Sequence, residues 1–341
     1  AVAVRGSVMV TSPTGTHLDL ARSLGIPEEF NNASVKIGES VSGWVLDQRR
    51  ALLVQDSLEH SDLENKLLNL PHRSFISVPL ERKGAPIYKG EYADLLQPPV
   101  MAVLNITSKE NGEYFNEGDL KALSIIANQA AAALENVRLI RDIEDGQREI
   151  ILTLGEIVET RSKETGNHVK RVAEYTRILS SHYGLTPGDI EVLALAAPLH
   201  DVGKVGVPDA ILNKPGKLTV EAFEIMKTHA KMGYDMLKVS KGDVLQAASV
   251  IAYHHHEKFD GNGYPQGLAG QDIHIFGRIT GIADVFDALG VKRQYKEAWP
   301  LEKIQDFFRE QRGKHFDPDL VDIFFDNMEE FVKVRETLPD V

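Results

Sequence analysis

The chain has 341 residues, a formal net charge of −12, 26% charged residues and no cysteine. That length suits about two domains of roughly 100–200 residues each, and a 43% hydrophobic fraction sets the chain apart from disordered ones. The missing cysteine excludes disulfides, thiolate nucleophiles and Cys-type zinc sites, and the acidic balance argues against a general nucleic-acid binder, which needs a basic stripe for phosphates.

In the first half, short apolar runs at Ser7–Val10, Ala51–Val54, Phe75–Pro79 and Val100–Ile106 alternate with turn signals at Pro13-Thr14-Gly15, Lys83-Gly84 and Asn111-Gly112. These predict strands in an antiparallel arrangement, because long helical patterns between them are scarce. Residues 56–70 read as a short connecting helix. From Asn116 the period becomes helical. Leu123, Ile126, Ala130, Ala133, Val137 and Ile140 follow steps of three and four, a heptad seam. The register continues through Glu144 and Gln147 to Ile151, Leu154 and Val158, interrupted beside Asp145-Gly146. One reading is a connecting helix with a soft spot, since a mid-helix Gly costs about 1 kcal/mol. The other is a parallel coiled-coil dimer that carries a signal between domains. The second half is helical throughout, over His168–Gly184, Thr186–His200, Thr219–Val239, Asp243–His255, Arg278–Leu289 and Pro318–Leu338.

Histidine is uneven: three of twelve precede residue 150 and nine follow it. His200-Asp201-Val202-Gly203-Lys204 closes an apolar helix, and His168, His229, His255, His256 and Asp284 are polar groups inside apolar helical stretches. Singly, each is more often a hydrogen-bonded core residue. Five helices aiming imidazoles or carboxylates inward make a metal-ligand set of the kind bundles collect. Nitrogen and oxygen donors suit iron, manganese, zinc or magnesium-like ions. The two oxygens of Asp201 make it the natural bridge between two ions, which at ~3.5–4 Å apart can clamp a phosphoryl displacement. Glu164 precedes His168 by one helical turn, so it is expected to recruit a further ion, although Thr165-Gly166-Asn167 leaves a surface carboxylate open. His254 is set aside because adjacent helical residues point ~100° apart, and His182, His274 and His315 are set aside with it. Glu257 is read as orienting a ligand imidazole from behind. Tyr264 is placed in a glycine-rich loop away from the metals.

Together with Pro208–Leu212, Asn213–Leu218, His255-His256-Glu257 and Asp260-Gly261-Asn262-Gly263-Tyr264-Pro265, the His200–Lys204 segment resembles the HD-GYP family of cyclic di-GMP phosphodiesterases. The likeness runs from about Glu159 to the end, including Phe316-Asp317-Pro318. It implies that His168, His200, Asp201, His229, His255, His256 and Asp284 ligate metal. It also implies that Asp201 and Lys204 are catalytic, with Lys204, Arg293 and Lys296 on the substrate phosphates. Two or three divalent ions are expected, iron first and manganese as the alternative. The family pattern at Glu159–His168 leaves position 164 variable, and Gly290–Tyr295 and Ser162-Lys163 depart from the usual sequence, which leaves substrate pose more open than metal binding. Residues 5–140 resemble a GAF domain, through Gly38–Gly43, Val54–Asp56, Ser77–Pro79, Val103-Leu104, Phe115-Asn116 and Ala133–Leu139.

The expected protein is therefore multidomain: an α+β GAF-like sensory domain with an antiparallel sheet (1–118), a linker and dimerisation helix (119–158) and an all-α HD-type bundle (159–341). The expected activity is hydrolysis of cyclic di-GMP to pGpG and/or GMP under GAF control. The alternative is a weakly active or inactive cyclic di-GMP sensor working through a partner. Expected partners are a second copy through the GAF-like domain and linker helix, and a diguanylate cyclase or other signalling protein at Gly263-Tyr264-Pro265, with no nucleic acid. No run reaches the ~20 apolar residues of a membrane span and no signal peptide is evident, so a cytoplasmic location is expected.

Overall fold

The computed structural model describes residues 3–12, 15–25, 33–56, 74–81, 100–162, 166–291 and 297–340. Its contacts divide the chain into two units, 1–143 and 144–341. The first holds β1 (Ala3–Thr11), β2 (His17–Leu24), β3 (Ser34–Lys36), α1 (Val41–Gln48), β4 (Leu52–Val54), β5 (Phe75–Glu81) and β6 (Val100–Lys109). They form one antiparallel sheet of order β3-β2-β1-β6-β5-β4. Alternate residues on a strand face opposite ways. Ile76, Val78, Leu80 and Ala102 accordingly join one core and Met9, Leu18 and Val103 another. The four expected strands are present. β2 and β3 were not legible: β3 is three residues long, and in β2 only Leu18 is buried. The helix expected at 56–70 lies, apart from its first residue, outside the described residues.

Helix α2 (Glu117–Arg161) runs 45 residues and passes Gly146 unbroken. The Asn116 side chain starts it, accepting from the Gly118 and Asp119 amides at 2.9 and 3.1 Å. Its burial divides the apolar positions between two faces. Leu123, Ala127 and Ala131 pack on the sheet, whereas the seam residues Ile126, Val137 and Ile140 are 50–56% exposed. The helix carries two apolar stripes, and the sheet covers only one.

The second unit contains the end of α2, then α3 (Gly166–Tyr183), α4 (Pro187–Ala196), 3-10 turns at Ala197–Leu199 and Val202–Gly206, α5 (Asp209–Leu212), α6 (Val220–Leu237), α7 (Asp243–His254), α8 (Ile275–Gly290), α9 (Leu301–Gln311), α10 (Pro318–Asp326) and α11 (Met328–Thr337). Thr186, Thr219 and Asp317 cap α4, α6 and α10 through their side chains. Tyr175, Leu193, Ile251, Ile282, Phe286, Phe308 and Phe324 share one core. The helix expected over Thr186–His200 tightens into a 3-10 turn at Pro198, which lacks the amide to continue it. The one expected over Pro318–Leu338 is two helices, divided at Asn327, whose side-chain amide caps the Ile323 carbonyl at 2.8 Å. Among the described residues no helix is long and apolar enough to cross a membrane.

The turn after Asp201 packs on α6 so closely that only glycine fits at 203. A methyl group there would overlap the His229 carbonyl and lie 2.5 Å from the Gly233 amide, both fixed backbone. Gly203→Ala is expected to cost about 1–3 kcal/mol and to lower the melting temperature by about 5 °C. A thermal melt within a degree of the parent would show that the turn can shift.

Candidate metal centre

The second unit gathers the expected ligands from separate elements: His168 in the first turn of α3, His200 and Asp201 between two 3-10 turns, His229 on α6, His255 and His256 at the end of α7, and Asp284 on α8. Helix geometry fixes how the imidazoles present themselves. Nδ1 of His200 donates to the Ala197 carbonyl at 2.8 Å, Nδ1 of His229 to Met226 at 2.7 Å, and Nδ1 of His255 to Ile251 and Ala252 at 3.1 and 3.2 Å. A carbonyl only accepts, so each Nδ1 carries the proton and each Nε2 keeps a lone pair for the site. Those three Nε2 atoms and Asp201 Oδ1 are buried without a hydrogen bond. Such a cost is not left standing in a folded interior without a ligand to meet it, so the donor set fits a divalent cation.

Asp201 faces two ways. Its Oδ1 lies 3.0 Å from His229 Nε2 and 3.5 Å from His255 Nε2, while Oδ2 lies 3.3 Å from His200 Nε2 and 2.6 Å from Lys204 Nζ. Ligand atoms of Asp201, His229, His255 and His256 lie within 4.8 Å of one another, as do those of Glu159, His168 and His200. Asp284 Oδ1 stands 3.7 Å from His168 Nε2 and 3.9 Å from His200 Nε2. Burial opposes charge on His200, yet Asp201, Asp284 and Glu159 push its pKa up to about 10. A proton so favoured marks a place where positive charge is stabilised, which an ion can supply. Burial also opposes charge on Asp201, but Lys204 and His200 hold its carboxyl well below the ordinary range. Burial pushes the pKa of His255 and of His256 down, against the pull of Asp201 and with the help of the neighbouring imidazoles.

Three residues in this arrangement escaped the sequence reading. Asp287 accepts from His168 Nδ1 at 2.8 Å and from Arg171 Nε and Nη2 at 2.6 and 2.9 Å, fixing the ring so that Nε2 faces Asp284. Asp287 sits one turn beyond Asp284 on an apolar helix, and that was its available signal. Glu159, 1% exposed on the last turn of α2, reaches Lys204 Nζ at 3.3 Å. Two residues on, Arg161 donates to the carbonyls of Lys204 and Val205 at 3.2 and 2.7 Å and to Asp209 at 2.8 Å. The end of α2 thus grips the turn that carries Lys204.

Two expectations are corrected. Glu257 does not touch a ligand imidazole: its buried carboxylate accepts from the Gln266 and Leu268 amides at 2.7 and 3.0 Å, closing the glycine-rich loop. Tyr264 does reach the site, with its ring 4.7 Å from His256 and 6.4 Å from His229. The loop folds back because Gly263 lies against the Glu257–Lys258 backbone, where no side chain fits. The histidines set aside are engaged elsewhere: His254 accepts from the His274 amide, His182 meets Glu330 at 3.0 Å, and His315 stacks on Phe316. Glu164, Arg293 and Lys296 lie outside the described residues.

A GAF-domain family model matches residues 5–135, and an HD-domain family model matches residues 153–320. The chain is 46% identical over 225 residues to the 3'3'-cGAMP-specific phosphodiesterase 2 of Vibrio cholerae, covering 66% of this chain and 43% of that protein. It is 38% identical over 205 residues to the cyclic di-GMP phosphodiesterase response regulator RpfG of Xanthomonas campestris, covering 60% and 54%. Over 200 residues it is 39% identical to a cyclic di-GMP phosphodiesterase of Thermotoga maritima, covering 59% and 52%. The chain spans about half the length of each of these relatives.

Proposed function

From a chain that joins a GAF domain to an HD domain, we propose a metal-dependent phosphodiesterase that hydrolyses cyclic di-GMP to pGpG and/or GMP under control of the GAF domain. The observation that carries this is the convergence of buried, unpartnered Nε2 atoms of His200, His229 and His255 on the two-faced carboxylate of Asp201. Divalent ions, iron first and manganese as the alternative, supply a water of lowered pKa and positive charge over the phosphate oxygens. His168, His200, Asp201, His229, His255, His256 and Asp284 hold them, with Glu164 as a further ligand. Asp287 and the backbone carbonyls keep the imidazole protons on Nδ1. Lys204 sets its ammonium beside Asp201 to stabilise charge on the scissile phosphate, and Arg293 and Lys296 hold the substrate phosphates.

The division 1–118, 119–158 and 159–341 goes with this reading. So does a homodimer: the uncovered stripe of Ile126, Val137 and Ile140 on α2 offers a seam to a second copy. A signalling partner would dock at Gly263-Tyr264-Pro265, and a cytoplasmic location goes with the same reading, the lack of cysteine being compatible with a reducing compartment.

The test is anaerobic product analysis on protein loaded with iron(II) or manganese(II), with Asp201→Ala beside it. Formation of pGpG or GMP that vanishes in the variant is expected. A second reading, 3'3'-cGAMP as the preferred substrate, is favoured by the name of the relative at 46% identity. Parallel assays with both nucleotides separate the two. Both substrates intact with metal fully loaded would overturn catalysis and leave the sensor.

A further inference from the structure

Beyond the ligands, the rim of the metal centre carries a row of rings. Tyr264 lies 4.7 Å from the His256 imidazole, inclined by 33°. Phe223, in the first turn of α6, meets Tyr264 edge-on at 6.3 Å and 81° and stays 44% exposed. Lys227, one turn further along α6, sits 5.1 Å from the Phe223 ring and 5.6 Å from the Tyr264 ring, steadied by Glu224 at 2.7 Å. A single exposed aromatic is ordinary on a protein surface. Here the row starts at a ligand imidazole and ends in an open ring with a cation above it.

We propose that Phe223 and Lys227 form a purine subsite, in which one base of the cyclic dinucleotide displaces the Lys227 ammonium from the face of Phe223, stacks there, and takes that ammonium at its edge. This rests on the phosphodiesterase reading above. A ribose separates each phosphate from its base, so a phosphate at the metals leaves its base to reach outward past Tyr264, 4.7 Å from His256, toward Phe223, a further ring contact of 6.3 Å away. Stacking accepts any base, because each has a π-face. Selection falls to Lys227: guanine offers two acceptors, O6 and N7, whereas adenine offers N7 beside a donating N6 amino group that repels an ammonium. Lys227 is therefore the residue that favours guanine at this position.

The experiment measures KM, kcat and metal content for Phe223→Ala, Phe223→Trp and Lys227→Met. The substrates are cyclic di-GMP, cyclic di-AMP and methyl p-nitrophenyl phosphate, a diester without a purine. Phe223→Ala is expected to raise KM for cyclic di-GMP about ten-fold, with kcat and metal content held within about two-fold, and Phe223→Trp to restore it. Lys227→Met is expected to narrow the preference for cyclic di-GMP over cyclic di-AMP about ten-fold. An unchanged KM, or an equal loss on the purine-free diester, would overturn the subsite. If the parent protein turns over neither dinucleotide, the phosphodiesterase reading fails on its own. Calorimetric titration of GMP into metal-loaded parent and Phe223→Ala protein then decides the subsite: about ten-fold weaker binding in the variant supports it, and equal or absent binding overturns it.

Discussion

Replacing Asp201 with alanine is expected to lower turnover by about three orders of magnitude and to remove at least half of the bound metal. Among Asp201, His229, His255 and His256, it is the one carboxylate beside three imidazoles. Its Oδ1 serves His229 and His255 while Oδ2 serves His200 and Lys204. Losing it removes the anion that offsets the charge of an ion and unseats the two halves of the centre together. It also strips Lys204 of its 2.6 Å partner, so the ammonium loses its aim as well as its setting. Elemental analysis of anaerobically loaded protein, paired with product formation, measures both effects. Full metal content with residual turnover above a tenth of the parent would sink the bridging role.

Asp287→Ala is expected to be the largest loss of stability, about 3–5 kcal/mol. The side chains of Asp287 and Arg171 are each 1% exposed and joined through two N–H···O bonds. Removing one member of a buried pair leaves the other uncompensated. Asp340 still meets Arg171 at 2.9 Å, which keeps the cost at the lower end of that range. The melting temperature should fall by about 10 °C. His168 loses the acceptor that fixes its ring, so metal affinity should weaken about 10–100-fold. The pH profile carries a second signature. Burial raises the Asp287 carboxyl, but its bonds to His168 and Arg171 outweigh burial and hold it below the ordinary value. The stability it contributes is therefore present above the unfolded carboxylate pKa of about 3.9 and lost as pH falls through the lower native value. Asp287→Ala should lack that acid limb. Chemical denaturation of parent and variant at several pH values measures it, and a difference under about 1 kcal/mol at pH 7 would show that Arg171 finds other partners.

Much of this architecture was legible from local pattern. Short apolar runs bounded by turn residues located β1, β4, β5 and β6, and a helical period located α2 and most of the bundle. His200, Asp201, His229, His255, His256 and Asp284 stood out because polar groups inside apolar helical stretches need a reason to be there; the first four are buried, and ligand atoms of Asp201, His229, His255 and His256 lie within 4.8 Å of one another. What stayed hidden depended on neighbours distant in the chain. Which stripe of α2 is covered depended on where the sheet lay. The roles of Asp287, Glu159 and Glu257 turned on contacts that no spacing rule encodes: His168 to Asp287 across 119 positions, Lys204 to Glu159 across 45, and Glu257 to the amides of its own loop. Sequence by itself determined which side chains could serve as donors, because residue chemistry and helical period are local. Tertiary structure alone decided which atom each one presents, because a ring or carboxylate is aimed by the hydrogen-bond partner behind it, and packing chooses that partner.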